Sequence, residues 1–288
     1  DLAGAVTKAT RDGDTYVING SKIWTSSADY SEYGVCLTRT DSDVPKHRGL
    51  TMFVVPVDSP GLEVIPLRLV TGTTGFCQEF FDDVTVGATE IVGELNDGWT
   101  VASRLLVHER NAVGGGSAYH DMALGGGFGP GRGQDPRQGA SLVALAKLHD
   151  LGGDAHARQL VGEAHVLATV GRHLGERVQT GVRVGHLPPP AGSLLKLFGS
   201  TANVRTSDIS MELAGSSAVV WDASDQESPL GVQFLFRQAT SILSGTSEIQ
   251  RNIISERVLG LPRESAPDRD VPFNEVSHNA MPHRRDEH

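Results

Sequence analysis

The sequence predicts an α+β protein: a small antiparallel β domain, closed as a barrel or stacked as a sandwich, followed by an antiparallel helical bundle. Three observations carry this. Short runs rich in β-branched and aromatic residues, separated by turn signals, fill residues 1–95. At Asn96-Asp97-Gly98-Trp99 the pattern changes, and apolar residues at three-and-four spacing dominate as far as Leu259. From Glu264 to His288 the chain is polar and has no period. The expected domains are therefore a β domain over 1–95, a helical bundle over 96–263 and a disordered tail over 264–288.

In chain order, Thr15-Tyr16-Val17-Ile18 is a β-rich run between Asp12-Gly13 and Asn19-Gly20, two dipeptides favoured in tight hairpins. Further strands are expected over Gly34–Thr38, Leu50–Val57, Leu62–Leu69 and Phe76–Val86, with turns at 41–48 and at Asp58-Ser59-Pro60-Gly61. The first helix carries an apolar stripe of Val101, Leu105, Ala112 and Val113, with Leu106 beside them. Residues 114–134 are glycine-rich and read as a broken helix and a flexible connection. Asp135-Pro136 supplies an N-cap and first helical position for a segment through Leu148. Leu160, Ala164, Leu167, Gly171, Leu174 and Val178 make the next stripe, and a helix over about 192–213 follows Pro188-Pro189-Pro190. In the last helix Ser247 and Gln250 have capping-box spacing, Ile249, Ile253 and Ile254 are expected to face inward, and Gly260 and Pro262 end it.

Composition excludes several classes. A chain of 288 residues is long enough for a sizeable core. A net charge of −10 argues against a general nucleic-acid binder, which needs a basic face for phosphates. No apolar run approaches the roughly 18 residues of a membrane span. Cys36 and Cys77 are the two cysteines, both in apolar runs; a disulfide scaffold is excluded, and a reduced, cytoplasmic location fits. No metal site is expected: the cysteine spacing is wrong and no His-Glu-x-x-His occurs among eleven histidines. The chain opens Asp1-Leu2-Ala3-Gly4, without Met or a signal-like segment, and reads as starting inside something longer.

Two places invite chemistry. Glu109, on the first helix, has Leu105, Leu106, Ala112 and Val113 three and four residues away. A carboxylate on an apolar stripe is costly to bury charged, so its pKa should rise, as a general base working near neutrality requires. Pairing with Arg110 or another cation, or simple solvation, is the structural alternative. The run Ser244-Gly245-Thr246-Ser247-Glu248-Ile249-Gln250-Arg251 opens the last helix with free N–H groups and hydroxyls that suit a polar or anionic ligand, or serve only as a cap. The glycine run at 125–133 follows no strand and lacks Gly-Lys-Ser/Thr, so it reads as a linker.

Taken together, Gly20-Ser21-Lys22-Ile23-Trp24-Thr25-Ser26, Lys46-His47-Arg48-Gly49-Leu50-Thr51, Phe80-Phe81-Asp82-Asp83-Val84, Asn96-Asp97-Gly98-Trp99, Gly245-Thr246-Ser247-Glu248-Ile249-Gln250-Arg251 and Glu256-Arg257-Val258-Leu259-Gly260 resemble, in this order, the acyl-CoA dehydrogenase family. The resemblance runs from residue 1 to about 264. It implies a middle β domain and a carboxyl-terminal four-helix bundle, with the family's amino-terminal helical domain and first flavin segment upstream of Asp1. It implies FAD as cofactor, an acyl-CoA thioester as substrate, removal of its α-proton by a carboxylate with hydride transfer to flavin, a trans-2-enoyl-CoA product, and electron-transfer flavoprotein as electron acceptor. It also implies a homo- or hetero-oligomer, a dimer or tetramer.

Residue by residue, the resemblance places Trp24 beside the flavin ring, Ser26 at the hydroxyl position near flavin N5 with Thr25 as its neighbour, and Thr246 and Glu248 on the cofactor. Glu212, Gly215 and Ser217 fall where the family has a Gln-x-x-Gly-Gly-x-Gly loop reaching a neighbouring subunit's cofactor. Arg110 matches an arginine near the thioester. Many members carry the base immediately before Gly-Thr-Ser, where this chain has Ser244; a minority, including isovaleryl-type enzymes, carry it on the first bundle helix before an arginine, as in Glu109-Arg110. Two rival readings stand beside catalysis: a non-catalytic or flavin-poor partner subunit of a heteromeric dehydrogenase, favoured by Ser244 and the altered loop, and a flavin oxidase or monooxygenase relative.

Overall fold

The computed structural model describes residues 1–111, 137–220 and 229–276. They divide into two compact units: Asp1–Arg68, Thr74–His108 and the described residues from Glu264 onward, and Leu69–Thr73 with the described residues of Glu109–Arg263.

The first unit is built on one seven-stranded sheet. Its strands are β1 (Lys8–Asp12), β2 (Thr15–Ser26), β3 (Tyr33–Arg39), β4 (Leu50–Pro56), β5 (Leu62–Leu67), β6 (Phe76–Gly87) and β7 (Ile91–Val92), in the order β5-β6-β2-β1-β3-β4-β7. The expected barrel does not close: β5 and β7 are edges. Nor is every pair antiparallel, since β1 meets β3 in parallel at Lys8 and Arg39. The Asp12-Gly13 hairpin is present, with Asp12 opposite Thr15 and Gly13 at φ 60°. Asn19-Gly20 is not a turn. β2 runs through it, and the register with β6 shifts between Ile18 and Gly20. Asn19 instead exchanges two 2.9 Å hydrogen bonds with Asp83, donating to its carboxylate and accepting from its backbone N–H, so a residue suited to a turn serves a bulge. Gly20 is required there, because at φ 137° a Cβ would come within 2.9 Å of Thr7 Cα.

Alternation of side chains gives the sheet its core: Ile18, Phe53 and Val84 are fully enclosed, joined by Tyr16, Val55, Phe81 and Val86. Each fully buried aliphatic or aromatic side chain contributes about 2 kcal/mol. The Tyr16 and Phe53 rings lie 5.1 Å apart. Helix α1 (Gly98–Asn111) starts against β4, where a Cβ at position 98 would lie 2.7 Å from Thr51 Cα, so only glycine permits the approach. That approach fixes the buried face of its first turns. Ala102 is enclosed with Leu37, Leu50 and Met52, and Trp99 and Val101 pack at the rim. Leu105 and Leu106, expected on the buried stripe, are 46% and 37% exposed.

Part of the expected tail is ordered. Phe273 is buried, Pro272 bridges to Pro45, Phe273 N donates to Val44 O and Asn274 N to Ser42 O. Lys46 pairs with Asp268 at 3.2 Å and with Asp1 at 3.0 Å. One aromatic residue and a few backbone bonds suffice to dock a polar segment, which composition does not register. Residues 277–288 lie outside the described residues, as do the glycine-rich 114–134 and Asp135-Pro136.

The second unit is helical: α2 (Arg137–Leu148), α3 (Ala155–Arg183), α4 (Gly192–Ala214), α5 (Pro229–Phe236) and α6 (Ser247–Ile253). Its core is formed by Leu142 and Ala146 of α2, Leu160 and Ala164 of α3, and Ile209 and Leu213 of α4. Among the described residues three helices supply this core, and α5 and α6 pack on α4. Asp154 caps α3 by accepting from Ala157 N at 2.7 Å. Gly171 of α3 lets Phe198 of α4 approach, with 3.2 Å between the ring and a Cβ placed there. α4 buries four serines; Ser200, Ser207 and Ser210 donate to the carbonyls four residues back, which satisfies their hydroxyls without water.

Candidate functional site

In the first unit the candidate residues sit at the end of β2. The register with β6 shifts again between Ile23 and Thr25, leaving Trp24 without a cross-strand partner. Trp24 has φ 70°, a left-handed conformation uncommon for a bulky residue and found where a bulge re-aims a side chain. The indole is 59% exposed and meets Phe76 edge-on at 6.0 Å. Ser26 pairs with Phe76 in the ladder and is exposed. Ser27, at φ 64°, turns the chain into a short 3-10 turn, Ala28–Tyr30, and its hydroxyl is bonded by Tyr30.

Thr25 is exposed as well, but its hydroxyl is engaged from beneath. Its hydroxyl donates to Glu79 Oε2 at 2.7 Å. Glu79 is 6% exposed, and its Oε1 has no hydrogen-bond partner among the described residues. Burial pushes the Glu79 carboxyl above its ordinary pKa; the Thr25 bond, its own backbone N–H and nearby Lys22 oppose the shift without reversing it. Lys22, opposite Glu79 in the ladder, donates instead to Leu37 O at 2.7 Å, and burial lowers its pKa. Cys36 and Cys77 are free, buried thiols, and burial pushes Cys36 up to about 11.

Sequence reasoning passed over Glu79, although a signal was there. Cys77, Glu79 and Phe81 alternate on the buried face of β6 while Phe80 is exposed. A carboxylate at an inward position of such a run is the exception that marks a site.

In the second unit Ser244 and Gly245 both have positive φ, 54° and 95°. A Cβ on Gly245 would fall 2.6 Å from Gln250 Nε2. Gln250 is 1% exposed and donates to Gly245 O at 3.2 Å and Ser244 O at 3.5 Å. The cap is therefore shifted by one residue from the expected box: Thr246 Oγ1 accepts from Ile249 N at 3.3 Å, and Gln250 braces the loop from inside. Ile249, expected inward, is 50% exposed because Gln250 takes the buried face. Glu248 is exposed and pairs with Arg251 at 3.5 Å; its own backbone N–H, then the Thr246 hydroxyl, lower its pKa.

Glu212 on α4 is held in a network. Arg205 grips Glu163 with two bonds of 2.6 and 2.8 Å and reaches Glu212 at 3.3 Å, while His156 meets the other Glu212 oxygen at 3.4 Å. Arg205 also lines an open groove of about 580 Å³ with Asp208, Ser241, Ser247, Glu248 and Arg251. Gly215 ends α4 at φ 58° and ψ −136°, a conformation restricted to glycine, and Ser217 Oγ donates to Ala214 O at 2.7 Å. The structure thus groups Trp24, Thr25 and Ser26 at one strand end, and Glu212 and Glu248 around Arg205. Glu109 and Arg110 fall in the last turn of α1, and their side chains lie outside the described residues.

Comparison with known proteins gives the family. Residues 1–84 match the acyl-CoA dehydrogenase middle-domain model, and residues 144–259 match the acyl-CoA dehydrogenase C-terminal-domain model. The chain belongs to the acyl-CoA dehydrogenase family. It is similar to the acyl-CoA dehydrogenases FadE34 and IpdE1 of Mycobacterium tuberculosis (strain ATCC 25618 / H37Rv). FadE34 is 34% identical over 91% of this chain and 34% of its own length; IpdE1 is 33% identical over 92% and 64%. The chain thus spans about a third to two thirds of these relatives' lengths. Among solved acyl-CoA dehydrogenase structures it is similar to the Tcur3481-Tcur3483 steroid ACAD, with TM-score 0.78 and 26% identity over 92% of this chain and 65% of that one. It is also similar to a chain of the ChsE4-ChsE5 complex from Mycobacterium tuberculosis, with TM-score 0.72 and 26% identity over 92% and 66%. Among the described residues no helix is long and apolar enough to cross a membrane.

Proposed function

We propose that this chain serves FAD-dependent α,β-dehydrogenation of an acyl-CoA thioester, giving the trans-2-enoyl-CoA, with electrons passed to an electron-transfer flavoprotein. The observation that carries the proposal is the bulge that turns Trp24 outward beside Ser26. A flavin ring needs a flat apolar wall and a hydrogen-bond donor at its edge. The exposed indole suits the first, and the exposed Ser26 hydroxyl suits the second. In this reading Thr246 and Glu248 also contact the cofactor, and Glu212 and Gly215 belong to the loop that reaches the cofactor of a neighbouring subunit. The groove beside Arg205, Ser247 and Arg251 offers the polar lining a dinucleotide requires.

Bound FAD supplies the hydride acceptor. The chain's own part is to hold the thioester and take the proton. Glu109 accepts the α-proton, and Arg110 beside it favours the charge that develops at the thioester end. Exclusion of water strengthens both effects. Solved relatives named as steroid dehydrogenases or as two-chain complexes make a steroid-side-chain thioester the first substrate to try, and a hetero-oligomeric assembly in the cytoplasm the form in which to try it.

A second reading is favoured by Ser244. It stands immediately before Gly245-Thr246-Ser247, where a carboxylate would serve as base, and a hydroxyl cannot. In that reading the chain is the non-catalytic partner of a heteromeric dehydrogenase.

Dye-linked dehydrogenation by the full assembly, with linear, branched and steroid-side-chain acyl-CoAs, tests both. The catalytic reading expects Glu109→Gln to keep flavin and acyl-CoA binding while turnover falls by about 10²–10⁴-fold, and Ser244→Ala to cost far less. Unchanged turnover in Glu109→Gln removes Glu109 from the chemistry and leaves the partner reading.

A further inference from the structure

We propose that Glu79 is a positioning residue of the flavin-contacting strand: through its bond to Thr25 it locks the bulged end of β2 so that Trp24 and Ser26 point outward together. The inference rests on the flavin reading of this strand end and adds a residue to it.

A bulge loosens a strand. Trp24 has no ladder partner, and pairing resumes only at Thr25 opposite Cys77 and Ser26 opposite Phe76, after which Ser27 turns the chain away at φ 64°. Two ladder positions are a weak anchor for a large exposed indole. The Thr25 hydroxyl adds a third point, bonded at 2.7 Å to a carboxylate that is itself enclosed. Buried carboxylates are costly and are kept where they hold something. Glu79 makes no ion pair among the described residues, since Lys22 turns to Leu37 O, so its bond to Thr25 is what ties its side chain to β2, beside a contact with its own backbone N–H. The charged and titratable groups near it are Lys22 on β2, Cys36 on β3, and Cys77 on β6 with Asp29 behind it. None of these bonds Glu79 in place of Thr25. Among the described residues Oε1 is buried and has no hydrogen-bond partner, so beyond its own backbone the carboxyl serves Thr25 rather than a wider polar network of the core. One hydrogen bond to a carboxylate is worth enough to change a ligand's affinity about tenfold.

The experiment uses the full assembly stripped of flavin and titrated with FAD, reading visible absorbance and tryptophan quenching. Thr25→Val and Glu79→Leu should each weaken FAD about tenfold, the double variant should weaken it no further, and Glu79→Gln, whose amide oxygen accepts from Thr25, should restore most of the affinity. Additive losses, or unchanged affinity in Glu79→Leu, overturn the inference. If the wild-type assembly takes up no FAD, the flavin reading fails, and hydrogen exchange at the amides of residues 24–26 decides alone. Faster exchange in Glu79→Leu and Thr25→Val, but not in Glu79→Gln, upholds Glu79 as the lock on the strand; equal exchange in all four proteins overturns it.

Discussion

The guanidinium carbon of Arg39 lies 3.8 Å from the centroid of the Phe273 ring, joining the end of strand β3 to the last described turn of the chain. Arg39 is 2% exposed and makes no ion pair among the described residues, although the nearby Asp41 carboxylate favours its charge. It donates to Lys46 O, Ala3 O and Ala5 O, so one buried cation gathers the 41–48 loop, the first residues and the ring. A desolvated cation over an aromatic face is stabilised by about 2 kcal/mol, and the loop and the first residues depend on the same contact.

Phe273→Ala should therefore destabilise the β unit by about 3 kcal/mol, the typical cost of emptying a buried aromatic site. Thermal unfolding of the full chain checks this. Asp268→Asn, which weakens only the partly exposed ion pair with Lys46, should leave the melting temperature close to that of wild type.

Gly245→Ala should cost about 1–3 kcal/mol, because the new Cβ meets Gln250 Nε2 at 2.6 Å in a backbone conformation of φ 95°. Gln250→Ala in the same chain relieves the collision but not the φ. In a urea titration the double variant should lose less than the sum of the two single variants; strictly additive losses would place the whole cost of Gly245→Ala in the backbone.

Trp24→Ala should leave stability within about 0.5 kcal/mol, since the indole is 59% exposed, yet weaken FAD by about 1 kcal/mol through loss of an aromatic wall. Parallel melting curves and FAD titrations separate the two effects. A large drop in melting temperature would make Trp24 a packing residue.

Glu79 should make stability depend on pH. Its pKa in the folded chain lies above the ordinary 4.5, so between 4.5 and the raised value the folded state binds more protons than the unfolded one. Stability from this group is complete below 4.5 and is lost as pH rises through the folded pKa. Denaturant midpoints of wild type relative to Glu79→Gln should fall across that window. A flat difference would show that Glu79 titrates as an exposed carboxyl.

Much of the fold was legible in the sequence because it rests on local pattern. The Asp12-Gly13 hairpin follows from turn chemistry, and the helix ending at Leu148 and the one over 192–214 follow from apolar spacing, glycine and proline. The same pattern placed Leu160, Ala164 and Val178 on the buried face of α3. Family motifs marked Trp24, Ser26 and Thr246, since each is a residue type at a fixed offset.

What the sequence by itself determined is thus the α+β class, most strands and helices, and the family. The tertiary structure alone decided the rest. It made Asn19-Gly20 a bulge because Asp83, far along the chain, exchanges hydrogen bonds with Asn19. It exposed Leu105 and Leu106 because Gly98 seats α1 on β4 by the face of Ala102. It left the sheet open, since closure depends on whether β5 and β7 meet and not on how either strand alternates. It set Glu79 under Thr25 and Phe273 against Arg39 because long-range partners determine what a polar or aromatic side chain does once it is enclosed. Local chemistry fixes the conformations a segment can take; contacts between distant segments select among them.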